Sequence, residues 1–174
     1  MKGIRHRILE LKGGLNIHIA EKGEEGAPVV LFIHGFPDIW YGWRHQIIGI
    51  AEKGYHAVAV DLRGFGDTDV PIGVENYTEM HIVGDLIALI DTLGQQQVFV
   101  VAHDWGATIA WGLACFRPDK IKGFVALGVP YMPRHPTLKP IAIFNAVYGK
   151  NHYIIRFQVQ VFNSYHFIYI KQLE

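Results

Sequence analysis

The chain has 174 residues, with 16 Lys or Arg against 16 Asp or Glu and a formal net charge of zero; this is about one domain in length, and the charge balance argues against a nucleic-acid or anionic-membrane partner. Half of the residues are hydrophobic and 18% are charged, which excludes a disordered chain and leaves enough apolar surface for a core. A single cysteine, Cys115, excludes an internal disulfide framework and points to a reducing, cytoplasmic setting.

Residues 4–11 and 15–20 flank Lys12-Gly13-Gly14 and predict a β-hairpin. Lys2, Arg5, Arg7, Glu10 and Lys12 interrupt the apolar positions here, so no signal-peptide core is expected. After a Gly/Glu-rich loop, Val29-Val30-Leu31-Phe32-Ile33 is an uninterrupted apolar run, as in a strand buried on both faces. Residues 39–53 predict a helix ended by Gly54, and residues 57–60 a second buried strand closed by Asp61. Thr78 can cap the next helix. Its apolar positions 82, 83, 86, 87, 89, 90 and 93 recur at helical spacing, and Gly94 follows as a C-terminal stop. Residues 98–101 predict a third buried strand, 105–116 a helix stopped before Pro118, and 124–127 a fourth strand. Within the 105–116 helix, Cys115 is expected to be an inert core residue. No apolar run reaches the ~18–20 residues of a membrane span, and Lys171-Gln172-Leu173-Glu174 is no peroxisomal or retention address. Strands alternating with amphipathic helices predict an α/β fold, a mostly parallel sheet with helices on both faces. Residues 158–170 are aromatic, β-prone and uncharged, with no strand–helix unit after them, so the architecture is expected to stop short.

Ligands on open α/β sheets bind beyond the carboxyl ends of the strands. There, the 98–101 strand runs into a helix through Asp104, with the small residues Ala102 and Gly106 at −2 and +2. This is the layout of a nucleophile elbow with Asp in the nucleophile's place. A helix N-terminus favours an anion by roughly 0.3–1 kcal/mol, which suits a carboxylate nucleophile. The alternative is that Asp104 merely caps its helix, since Asp is a preferred capping residue. His34-Gly35-Phe36-Pro37 follows the first long buried strand, and the Phe36 and Trp105 amides can form an oxyanion hole if the two strands are neighbours. Read alone, that segment is better taken as a plain Gly-Pro loop. Asp61–Gly66 lacks the third glycine of a dinucleotide loop, since position 69 is Asp, and is expected to shape the sheet edge. The ten histidines show no metal-ligand spacing, and His103 is expected to be structural.

Together these motifs resemble the soluble epoxide hydrolases of the α/β-hydrolase superfamily, most closely those of plants. His34-Gly35-Phe36-Pro37-Asp38-Ile39-Trp40-Tyr41-Gly42-Trp43-Arg44 resembles the oxyanion loop, and Asp61-Leu62-Arg63-Gly64-Phe65-Gly66-Asp67-Thr68 the next loop. His103-Asp104-Trp105-Gly106-Ala107 resembles the nucleophile motif, and residues 148–158 the start of a lid; the likeness runs from about Gly3 to Gln158. It implies that Asp104 attacks an epoxide carbon to form an ester and that Tyr153 assists the opening oxygen from the lid. It further implies that the Phe36 and Trp105 amides form the oxyanion hole, and that His34, Gly35, Pro37 and Trp105 meet a small apolar epoxide. No cofactor is implied. On this reading residues 1–130 are the core, 131–158 the start of the lid and 159–174 an anomalous tail.

Two positions depart from the family pattern. Ala102 stands where Gly is usual. After Gln158 the second lid tyrosine, orienting acid and base histidine find no match, so a truncated chain limited to single-turnover ester formation is expected. Phe36 and Trp105 argue against haloalkane and fluoroacetate dehalogenases, which carry a polar halide-binding residue and an Arg at those places. A serine esterase is excluded if Asp104 is the elbow residue. A non-catalytic fragment that regulates a longer relative is the competing class, and an exposed sheet edge at 124–127 is expected to drive self-association.

Overall fold

The computed structural model of the chain describes residues 3–133 and 136–155. The β-prone segment 158–170 and the tail 159–174 lie outside the described residues. The hairpin expected at the start is β1 (Arg5–Glu10) paired antiparallel with β2 (Asn16–Lys22). The remaining strands among the described residues are β3 (Val29–Ile33), β4 (His56–Val60), β5 (Val98–His103) and β6 (Ile121–Leu127). They form one six-stranded sheet in the order β1-β2-β4-β3-β5-β6. β4, β3, β5 and β6 run parallel to one another, and the β1–β2 hairpin joins them antiparallel through β2 and β4.

Period-two alternation sorts the central strands onto two cores. Leu31, Ile33, Val58, Val60 and Val100 pack with α2 (Glu79–Thr92) and α3 (Trp105–Phe116). Val30, Phe32, Ala57 and Ala59 pack with Trp43 and Ile47. Ile47 belongs to α1 (Arg44–Ala51) on the opposite face. Helices cover both faces, as the alternation of elements predicts. Thr78 caps α2 by accepting from the His81 amide. Among the described residues no helix is long and apolar enough to cross a membrane.

Four expectations change. The 39–53 helix divides into a 3-10 turn, Trp40–Trp43, and α1. The Trp40 amide is drawn to the Asp61 carboxylate instead of an α-helical carbonyl. Cys115 is exposed, not core: the buried stripe of α3 runs through Gly106, Ile109, Ala110 and Leu113, and position 115 falls off it. β6 starts three residues earlier than the expected 124–127 strand, at Ile121, and is half-exposed as the expected sheet edge, with β5 on one side only. Finally, α4 (Pro140–Tyr148) forms where no helix was predicted, with proline in its first turn.

Candidate active site

Parallel pairing of β3 with β5 places Ile33 opposite Ala102, so the loop leaving β3 and the turn leaving β5 emerge side by side. Asp104 occupies that turn at φ 55° and is the one non-glycine residue with positive φ among those described. Its backbone is pinned from three sides. The Asp104 amide donates to Leu127 O at 3.1 Å, and Asp104 O accepts from the Ala107 and Thr108 amides. The close neighbours are small for a steric reason. A β-carbon on Gly106 would lie 2.3 Å from His34 O, and one on Gly35 would lie 2.5 Å from Asp104 Cβ.

The side chain does not act as a cap. Asp104 precedes α3 but makes no side-chain cap hydrogen bond. Instead its Oδ1 accepts from the Phe36 amide at 2.9 Å. The carboxylate therefore faces the β3 loop, half-buried, rather than tying off its helix.

Structure brings most of the site residues anticipated from sequence into one place. Phe36 and Trp105 flank Asp104 and line a narrow, largely apolar crevice with Gly35, Phe65, Tyr77 and Ile109. Pro37 follows Phe36 through a cis peptide bond and is exposed. Tyr153, just beyond α4, sets its ring 6.4 Å from that of Phe36. His103 is exposed and faces Gly128.

His34 lines the same crevice and also holds the loop beside it. It is fully buried, with Nδ1–H donating to Gly35 O at 2.7 Å and Nε2 accepting from the Leu62 amide at 3.1 Å. Both ring nitrogens are spent on holding the loop. Burial pushes its imidazole below the ordinary 6.5, against the Gly35 bond and the charges of Asp61 and Asp38.

Two groups below the site were missed by sequence reasoning. Arg63 donates Nε to Asp85 Oδ2 and a terminal nitrogen to Asp85 Oδ1, both at 2.6 Å, inside the protein. Asp61 is completely buried and gathers donors from His18 on β2 and from the Trp40 amide. For Asp61, a carboxylate directly ending the buried β4 strand was the available signal, since such a group must find donors.

The α/β hydrolase fold family model matches residues 28–166. "Epoxide hydrolase 2" of Siraitia grosvenorii is 49% identical over 158 residues, which are 91% of this chain and 49% of that protein. A crystal structure of an epoxide hydrolase from Vigna radiata is 56% identical with a TM-score of 0.85, over 90% of this chain and 50% of that one. A potato epoxide hydrolase structure is 50% identical with a TM-score of 0.83, over 89% of this chain and 49% of that one. The chain thus spans about half the length of these relatives. Its six-stranded sheet, its elbow aspartate and the family match together place this chain in the α/β-hydrolase fold family.

Proposed function

We propose that the chain carries the nucleophile-bearing part of an epoxide hydrolase. An Asp104 carboxylate oxygen attacks an epoxide carbon, the carbon–oxygen bond of the ring breaks, and an ester forms. The opening oxygen takes its proton from the Tyr153 hydroxyl. In the second step water attacks the ester carbonyl, the Phe36 and Trp105 amides stabilise the oxyanion, and the ester carbon–oxygen bond breaks to release a vicinal diol, the two water protons passing to the leaving diol oxygen and to the Tyr153 phenolate. Gly35, Pro37 and Trp105 meet the substrate, and His34 holds their loop. No cofactor takes part. Because the chain spans half of its relatives, diol turnover is assigned to the longer protein and ester formation to these residues.

The observation that carries this reading is the Asp104 side chain itself, which accepts the Phe36 amide and leaves its own helix uncapped. The apolar crevice supports a small apolar epoxide over a charged substrate. A single cysteine supports a cytoplasmic setting. The outer edge of β6, with Val125 49% and Leu127 42% exposed, supports self-association with a second copy. Intact-mass measurement after exposure to styrene oxide tests the chemistry. The parent chain gains one substrate mass and Asp104→Asn, a residue that tolerates positive φ, gains none; equal labelling of both rejects the assignment.

A further inference from the structure

The loop from Phe36 to Trp40 is strung between two carboxylates. At one end the Phe36 amide donates to Asp104 Oδ1. At the other the Trp40 amide donates to Asp61 Oδ1 at 2.7 Å. Asp61 also accepts from the Asp67 amide at 3.4 Å and meets His18 Nδ1 at 2.7 Å through Oδ2. His18 Nε2 in turn lies 3.0 Å from His6 Nδ1. This hydrogen-bonded chain runs from exposed His6 on β1, through buried His18 on β2, to fully buried Asp61. The same imidazoles hold the Trp40 indole, His6 edge-on at 4.7 Å and His18 at 6.3 Å. Gly66 closes over the carboxylate, where a β-carbon would sit 2.0 Å from Asp61 Oδ2.

We propose that His18 and Asp61 are positioning residues for the nucleophile. His18 fixes the rotation of the Asp61 carboxylate through Nδ1. Asp61 then fixes the Trp40 end of the loop, and the loop delivers the Phe36 amide that orients Asp104. A carboxylate with one oxygen held by a buried donor cannot turn without releasing the Trp40 amide bonded to the other. The loop's own aim on Asp104 therefore depends on a histidine two strands away in the sheet. The kinetic part rests on the ester-forming reading of Asp104; the structural part does not.

Two half-isosteres of His18 separate this role from simple core filling. His18→Asn keeps a donor near the Nδ1 position facing Asp61, whereas His18→Gln carries its amide to the Nε2 position facing His6. Hydrogen–deuterium exchange is read at the Phe36 and Trp40 amides and, for reference, in β3 and β5. The Asn variant keeps the parent's slow exchange and its rate of ester formation with styrene oxide. The Gln variant exchanges about tenfold faster at those two amides, as expected for loss of one hydrogen bond to a charged group. Its ester formation falls by a similar factor at saturating epoxide, with the half-saturating concentration unchanged. Equal exchange in the two variants overturns the proposal. So does loss of protection throughout β3 and β5, which makes His18 a general core residue. A parent chain that forms no ester rejects the hydrolase reading, while the exchange comparison still decides the positioning role.

Discussion

The Phe36 amide reaches Asp104 Oδ1 at 2.9 Å although 68 positions separate the two residues. Parallel pairing of β3 and β5 makes that contact local in space, because both strands end at the same edge of the sheet. Gly35 is what lets the loop come so near. Replacing it with alanine puts a methyl 2.5 Å from Asp104 Cβ and 2.6 Å from Oδ1. Gly35→Ala is expected to push the carboxylate off the Phe36 amide and slow ester formation about tenfold or more, the loss of one bond to a charged group. A mass-resolved time course checks the rate, and thermal melting checks that the overpacking cost stays within about 1–3 kcal/mol.

His34 gives the fold a pH dependence of defined sign. Burial depresses its imidazole below 6.5, so below that pH the unfolded chain binds a proton that the folded chain refuses. The contribution of His34 to stability is complete above about pH 6.5 and declines as pH falls toward its folded value, by at most about 1.4 kcal/mol per pH unit. His34→Asn keeps the donor to Gly35 and cannot titrate. Urea unfolding between pH 7 and pH 5 should show a shallower decline for this variant than for the parent. Parallel declines would remove His34 from the account.

The Arg63–Asp85 pair makes a prediction about stability alone. Burial raises the Asp85 carboxyl, and the bidentate bonds and charge of Arg63 oppose that rise. Arg63→Met leaves a carboxylate inside the protein without its cation, at a cost of about 3–5 kcal/mol. Arg63→Met combined with Asp85→Leu should recover most of the loss. Chemical denaturation of the single and double variants measures both.

These residues also show how much could be seen in the sequence. The α3 helix was legible to the residue, because Asp104, Gly106 and Pro118 mark its ends and its apolar positions. The elbow was legible for the same reason, through the small flanking residues that a tight strand-to-helix turn demands. The Asp61 hub was not: its donors come from positions 18, 40 and 67, which only the finished sheet and its loops bring together. Cys115 was misplaced by reasoning from the usual burial of free cysteine; the helical period, applied strictly, puts it outside the stripe. Tyr153 sets its ring 6.4 Å from that of Phe36, and nothing in the spacing of residues 148–155 alone required it.

The outer edge of β6 carries a prediction about assembly. Val125 and Leu127 expose nearly half of their surfaces beside an edge with no strand partner among the described residues. Such an edge recruits another chain. Sedimentation of the parent should show species larger than one chain, and Val125→Lys with Leu127→Lys should shift the population to monomer. A parent that sediments as a monomer at all concentrations contradicts the prediction.

The proposed chemistry forms one bond, from Asp104 to a ring carbon of an epoxide. Peptide mapping by tandem mass spectrometry after styrene oxide treatment locates that bond directly. The predicted result is a single substrate mass on the peptide bearing Asp104, placed on its side chain. An adduct confined to exposed Cys115 or His6, with Asp104 unmodified in a demonstrably folded chain, would contradict it.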